Sequence, residues 1–175
     1  MRKMITVKIN GEERQYPQGA TYEDVANDYQ QEYENLIALA ARDGKIRELF
    51  KKLTRDCEVT FFTLKDDVGN KTYVRSATML FLKAVFDVYG REAAQSCRVE
   101  FAIGNGSYIS PKGKINVTEE NAAKIRNRMR ELVEAKTPFL KRSYSLDNAM
   151  ELFRKEGMKD KEKLFRYRRG SFVNI

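Results

Sequence analysis

Ile5-Thr6-Val7-Lys8-Ile9 alternates apolar and polar side chains, Asn10-Gly11 comes next, and Arg14-Gln15-Tyr16 resumes as a second extended run. Period-two alternation puts one face of a strand on a core, and Asn-Gly accepts the positive φ angles of a tight two-residue turn. The chain therefore opens as an antiparallel hairpin, and the next element has to cover its apolar face. Pro17 and Gly19 end the hairpin, and Thr21 with Asp24 three residues later forms a capping-box-like helix start. Tyr22, Val25, Ala26, Tyr29 and Tyr33 recur at helical spacing and supply the covering face. Leu36–Ala40 reads as a strand, Asp43-Gly44 as a turn, Ile46–Leu53 as a short paired strand element and Glu58–Leu64 as a closing strand.

A second segment begins near Gly69. Residues 72–86 are apolar on most sides, the pattern of a central helix. Val99–Ile103, Gly104-Asn105-Gly106 and Tyr108-Ile109 read as strand, turn and strand. Thr118 caps a long helix reaching Ala135, with Ala122, Ile125, Met129, Leu132 and Val133 as its buried stripe. A strand is expected around Phe139–Tyr144, then a helix over Leu146–Lys155 stopped by Gly157.

Composition bounds the functional classes. With 33% charged and 42% hydrophobic residues, the 175-residue chain has the profile of a globular protein rather than a disordered one. A chain of this length buries roughly 70% of its unfolded surface, enough for one substantial core or two modest ones. The stretch Ala77–Tyr89 carries Lys83 and Asp87, so it is too short and polar to cross a bilayer, and no secretory signal precedes it. Cys57 and Cys97 are far apart and no histidine occurs, so no metal set is visible. Two buried thiols in a reducing cytoplasm are expected. The net charge of +8 is unevenly placed: residues 1–69 hold 11 Lys/Arg and 13 Asp/Glu, and the remaining 106 hold 22 and 12. This asymmetry has two readings, an anionic partner such as RNA or a nucleotide, or a solvated surface kept basic for solubility.

The order ββαβ(β)β over the first 65 or so residues is that of a β-grasp domain. With the run Tyr16-Pro17-Gln18-Gly19-Ala20-Thr21-Tyr22-Glu23-Asp24-Val25-Ala26, residues 4 to about 65 resemble a TGS domain. Most of residues 72–165, with Ile103-Gly104-Asn105-Gly106-Ser107-Tyr108-Ile109 and the 117–133 run, resembles the second additional domain of threonyl- and alanyl-tRNA synthetases. The fold class expected is α+β: an N-terminal ubiquitin-like β-grasp TGS domain at 1–66, then a synthetase editing-like α/β domain at 70–175, truncated at its C-terminal end. The strand-like run Ser171–Ile175, with no stop signal, points to the same truncation.

In that family the second domain removes wrongly attached amino acids from tRNA with histidines and a cysteine. The resemblance puts Arg75 and Met79 where its first two histidines stand, and its second Cys/His pair beyond Ile175. A guanidinium is permanently charged and has no lone pair for a metal or a proton, and a thioether is a weak base. No catalytic residue and no metal ligand is expected here. Arg75 suits bidentate phosphate or carboxylate binding, or else pairs with a local acid or faces solvent at the helix start. Met79 reads as core packing.

On the long helix, Lys124 with Arg128 and Arg126 with Arg130 are like-charged pairs four apart, partly offset by Glu120 and Glu134. They read as a solvated face or as contacts to an RNA backbone. Arg166, Tyr167, Arg168 and Arg169 combine guanidinium groups with an aromatic that can stack on a base.

A phosphate-cradling Gly-x4-Gly-Lys-Ser/Thr motif is missing. At Gly113-Lys114, Tyr108 stands five before the glycine and Ile115 comes after the lysine. A TGS-like segment before a histidine-less editing-like segment most resembles the N-terminal region of bacterial uridine or nucleoside kinase-like proteins. That resemblance implies a regulatory, ligand- or RNA-binding region with a kinase domain downstream in the same polypeptide. This region would hold no cofactor, and ATP and Mg would enter only with that kinase. Two alternatives remain: a threonyl-tRNA synthetase-like fragment that binds tRNA but has lost editing, and a free-standing RNA-binding module. All three place the protein in the cytoplasm.

Overall fold

The computed structural model describes residues 3–104 and 106–175. The chain divides into two units, residues 1–131 and 132–175. The expected turn centred on Asn105 and the first two residues of the expected 1–66 domain lie outside the described residues.

The alternating opening forms β1 (Met4–Ile9) and β2 (Glu12–Pro17), paired antiparallel with Ile9 opposite Glu12. Asn10 at φ 51° and Gly11 at φ 89° make the turn between them, the geometry that the Asn-Gly pair favours. Helix α1 (Tyr22–Tyr29) starts with a complete capping box: Thr21 Oγ1 accepts from the Asp24 backbone N–H at 3.1 Å, and Asp24 Oδ2 accepts from the Thr21 N–H at 2.8 Å. Its face Tyr22, Val25, Ala26 and Tyr29 is buried, whereas the half-buried Tyr33 comes after a 3-10 turn beyond the helix.

Strands β3 (Ile37–Arg42), β4 (Lys45–Arg47) and β5 (Cys57–Thr63) complete a five-stranded sheet in the order β2-β1-β5-β3-β4. β5 runs parallel to β1 and antiparallel to β3. Ile5, Val7, Ile9, Ile37, Val59 and Phe61 from the sheet share one core with the apolar face of α1. The expected element over Ile46–Leu53 is shorter than its sequence suggested: pairing stops at Arg47, and the rest is turn apart from a single Thr21–Lys52 bridge.

Helix α2 (Asp67–Ser96) is interrupted at Gly90, whose φ of 83° with ψ of −178° is open only to glycine. Its start is tied to the sheet. Asp66 Oδ2 accepts from the Thr63 backbone N–H at 2.7 Å and from its hydroxyl at 2.9 Å. A Cβ on Gly69 would lie 2.0 Å from the Thr63 carbonyl oxygen, so only a hydrogen fits there. The expectation of a central helix needs correction. Gly69, Ala84, Val85 and Ala93 are buried, but Tyr73, Met79 and Phe86 are exposed, because the neighbouring elements of this unit cover only part of its surface.

β6 (Arg98–Ile103) and β7 (Gly106–Ser110) form a two-stranded ribbon, and α3 (Glu119–Glu134) comes after it. Ile125 and Leu132 of its expected stripe are buried, while Ala122 is exposed and Val133 is 60% exposed. Val133 stands next in sequence to Leu132, about 100° around the helix, and so turns off the covered face.

In residues 132–175, β8 (Ser143–Ser145) and β9 (Phe172–Asn174) pair antiparallel, joined through α4 (Leu146–Lys155) and α5 (Lys159–Arg166). Ala149, Phe153 and Val173 form their core. The strand expected from Phe139 is confined to Ser143–Ser145, since its partner is only three residues long and Phe139 and Leu140 are exposed. Gly157 at φ 70° stops α4 as expected, but α5 was not anticipated. Acids in its first turn and cations in its last complement the helix dipole. Among the described residues, no helix is long and apolar enough to cross a membrane.

Replacing Gly69 with alanine forces the start of α2 away from β5. A loss of about 2–3 kcal/mol in unfolding free energy by urea titration is expected, on the scale of other overpacked sites; an unchanged midpoint would show that the junction yields freely.

Candidate nucleic-acid interface

One turn into α2, the side chains of Asn70, Val74, Ala77, Thr78 and Phe81 form a stripe at helical spacing. They face Ala102, Gly104, Gly106, Ser107 and Ile109 of the β6–β7 ribbon across an open cleft of about 770 Å³. Lys71, Tyr73 and Arg75 border it. Two glycines on the ribbon side leave the backbone bare, which permits close approach of a ligand.

Arg75 lies at the rim of this cleft, exposed, with no acidic partner among the described residues. Lys71, by contrast, is paired with Asp67 at 3.0 Å. Met79 is 59% exposed and does not border the cleft, which corrects its expected place in the core. At about 100° per residue, positions 75 and 79 lie roughly 40° apart on the helix and well off the stripe that floors the cleft. The structure therefore brings Arg75, but not Met79, to the opening. Sequence reasoning missed Asn70, Thr78 and Ser107, whose polar groups line the same space. The i, i+4, i+8 spacing of Asn70, Val74 and Thr78 was the signal that could have found the helical pair.

A second cavity of about 500 Å³ lies between the other side of the ribbon's end and α3, lined by Phe81, Cys97, Ile109, Ile115, Ile125 and Met129, with Arg126 at its edge. Cys97 and Cys57 are free and half-buried rather than fully buried. Burial pushes both thiols up from their ordinary value, so they stay protonated at neutral pH and are poor nucleophiles. No group of three or more metal-binding side chains occurs among the described residues.

The cations expected on α3 have mostly found acids. Lys124 pairs with Glu120 at 2.7 Å, Arg126 with Glu119 at 3.4 Å, and Arg128 with Glu131 at 2.7 Å. Arg128 also reaches Asp87 on α2 at 2.9 Å, where Lys83 is a second partner. Lys83 first, and Arg128 with it, hold the Asp87 carboxyl below the usual carboxylate range. Arg130 alone of this set has no acidic partner among the described residues. In the other unit, Arg166 bonds Glu162 at 3.2 Å, Arg168 lies over the Phe165 ring at 5.5 Å, Arg169 is exposed and Tyr167 is 86% exposed.

No protein-family model matches the chain. Nearly its whole length is similar to bacterial threonine-tRNA ligases. That of Thermotoga neapolitana is 27% identical over 187 residues, covering 99% of this chain. Those of Carboxydothermus hydrogenoformans and Maricaulis maris are 25% and 26% identical over 183 residues, each covering 98% of it. The chain spans about 28% of the length of these curated relatives. The similarity supports a relation to threonyl-tRNA synthetase and sides with the synthetase alternative, while the uridine or nucleoside kinase reading gains no support from it.

Asp87 joins α2 to α3 through two cations, and its contribution has a definite pH signature. Its folded pKa is depressed, so the stabilisation is complete above the unfolded value of about 3.9 and is lost as pH falls through the lower folded value. Asp87→Asn is expected to lower the denaturation midpoint at neutral pH, with the gap to the parent closing in acid below about pH 4. A gap that persists in acid would assign the effect to packing instead.

Proposed function

We propose that this chain is the N-terminal, tRNA-binding region of a threonyl-tRNA synthetase-like protein, one that binds without hydrolysing the aminoacyl ester. Its parts are a TGS-type β-grasp at 1–66 and an editing-like domain at 70–175, working in the cytoplasm. The observation that carries this reading is similarity to threonine-tRNA ligases over 98–99% of the chain. The mixed five-stranded sheet packed on α1 supports the first part. The second part rests on the helix, ribbon and helix order of α2, β6–β7 and α3.

The chemistry of the chain supports binding rather than hydrolysis. Ester hydrolysis needs a base to activate water or a metal to hold hydroxide. The chain has no histidine, and the two positions that resemble the family's first histidines carry a guanidinium and a thioether. Neither accepts a proton at neutral pH. Both cysteine thiols are pushed up by burial, which removes the remaining nucleophile of low pKa.

RNA contact is a matter of spare positive charge. Arg75 and Arg130 in the first unit and Arg169 in the second are not committed to acids among the described residues. Residues 132–175 hold 11 Lys/Arg against 6 Asp/Glu. Phosphate contacts release counterions, so affinity of this origin falls steeply with salt.

Threonine tRNA should bind this chain with log Kd rising linearly with log salt, by roughly 0.7–0.9 for each phosphate contacted. Threonyl- and seryl-tRNA should lose their amino acid no faster with the protein than without it. Salt-independent binding would remove the phosphate contacts, and release of the amino acid above the spontaneous rate would overturn the non-hydrolytic reading.

A further inference from the structure

The cleft beside α2 has a lopsided charge. Lys71 and Arg75 border it, Asn70, Tyr73, Thr78 and Ser107 add neutral polar groups, and no carboxylate lines it among the described residues. The nearest acid on the helix, Asp67, is occupied by Lys71. Arg75 therefore presents an uncompensated planar set of donors to whatever enters.

The two forms of a tRNA 3′ end differ in how they meet such a site. An uncharged end offers phosphodiester oxygens and ribose hydroxyls, all able to accept from a guanidinium fork. An aminoacylated end offers the same phosphates but adds an α-ammonium group. A site that welcomes that cation supplies a carboxylate; this one supplies another cation and leaves the ammonium facing it in a partly enclosed space. Like charges in that setting repel more strongly than in bulk water.

We propose that the cleft takes the uncharged 3′ end of a tRNA and rejects the aminoacylated end by charge, with Arg75 as the discriminating residue. This rests on the tRNA-binding reading above and reverses the preference expected of a site built to receive an aminoacyl group. The chain then responds to the presence of uncharged tRNA.

The test compares three probes on the whole chain at low salt: deacylated threonine tRNA, threonyl-tRNA, and N-acetylthreonyl-tRNA, in which the charge is removed and bulk is added. A pH of about 6.5 keeps the α-amino group, with an ordinary pKa of about 7.7–8.0, protonated. Deacylated tRNA should bind roughly five- to tenfold more tightly than threonyl-tRNA, the scale of one extra like-charge contact in a partly solvated site. The acetylated form should recover most of that difference. Arg75→Ala should abolish the preference and Arg75→Lys should keep it, and because the side chain is exposed both variants should fold.

Threonyl-tRNA binding as tightly as deacylated tRNA overturns the proposal, as does a preference that survives Arg75→Ala. An acetylated form as weak as threonyl-tRNA also overturns it, by showing exclusion by size. In each of these cases tRNA still binds and the proposed function stands. Failure of all three tRNAs to bind overturns both.

Discussion

The approach of Gly69 to the Thr63 carbonyl sets the direction in which α2 leaves the first sheet. β5 ends at Thr63, and within six residues the chain has turned, capped and entered a long helix pressed against the strand it just left. Asp66 makes the turn possible by accepting from both the backbone and the hydroxyl of Thr63. Gly69 makes the contact possible by having no Cβ, since one would meet the carbonyl oxygen at 2.0 Å. With that junction fixed, the helical rotation of about 100° per residue decides which side chains of α2 look toward the ribbon and which look away.

Charge pairing then determines what the surface can do. Most cations on α3 are neutralised by acids three, four or seven positions away, and Arg128 is also held by Asp87. Exposed pairs of this kind contribute little stability and little free field. The residual positive character lies with side chains that lack such neighbours, among them Arg75 at the cleft and Arg130 on α3. A net charge of +8 is thus less informative than its distribution after pairing.

The legible part of the sequence was the part whose structure is decided locally. Asn10-Gly11 and Asp43-Gly44 both adopt positive φ in tight turns, and Thr21 with Asp24 closes a capping box. Each is a short-range preference that tertiary packing does not contradict, so the sequence of elements along the chain and the buried face of α1 could be read in advance. Gly157 stopping α4 belongs to the same class. The remainder depended on partners distant in sequence. Val133 has the apolar character of a core residue and lies exposed; Phe139 and Leu140 have strand propensity and find nothing to pair with. α5 was missed because its charges mask a helix that only packing of Phe165 on Phe153 makes evident. The cleft itself was invisible, because it needs α2 and the β6–β7 ribbon placed side by side. Arg75 was legible as a candidate only through its resemblance to a histidine position, Thr78 only through its spacing with Asn70 and Val74, and Ser107 carried no signal at all.

Separation of the remaining reactive groups makes the proposed non-hydrolytic role compatible with a binding surface. Arg75 is at the rim of one cavity, Met79 faces solvent, and Cys97 lies in the wall of the other cavity. A nucleophile, a proton acceptor and an oxyanion donor have to converge within hydrogen-bonding distance of one reacting atom. Recognition is less demanding, because a phosphate needs only donors at its edge and a shape that admits the sugar. A guanidinium at the rim meets that requirement at long reach without fixing the rest of the ligand. On the proposed reading, an arginine at a position that resembles a family histidine cannot pass a proton, whereas its guanidinium adds a donor for a phosphate. On that reading, the same side chain that offers no base favours the phosphates common to every tRNA end over the ammonium that marks a charged one.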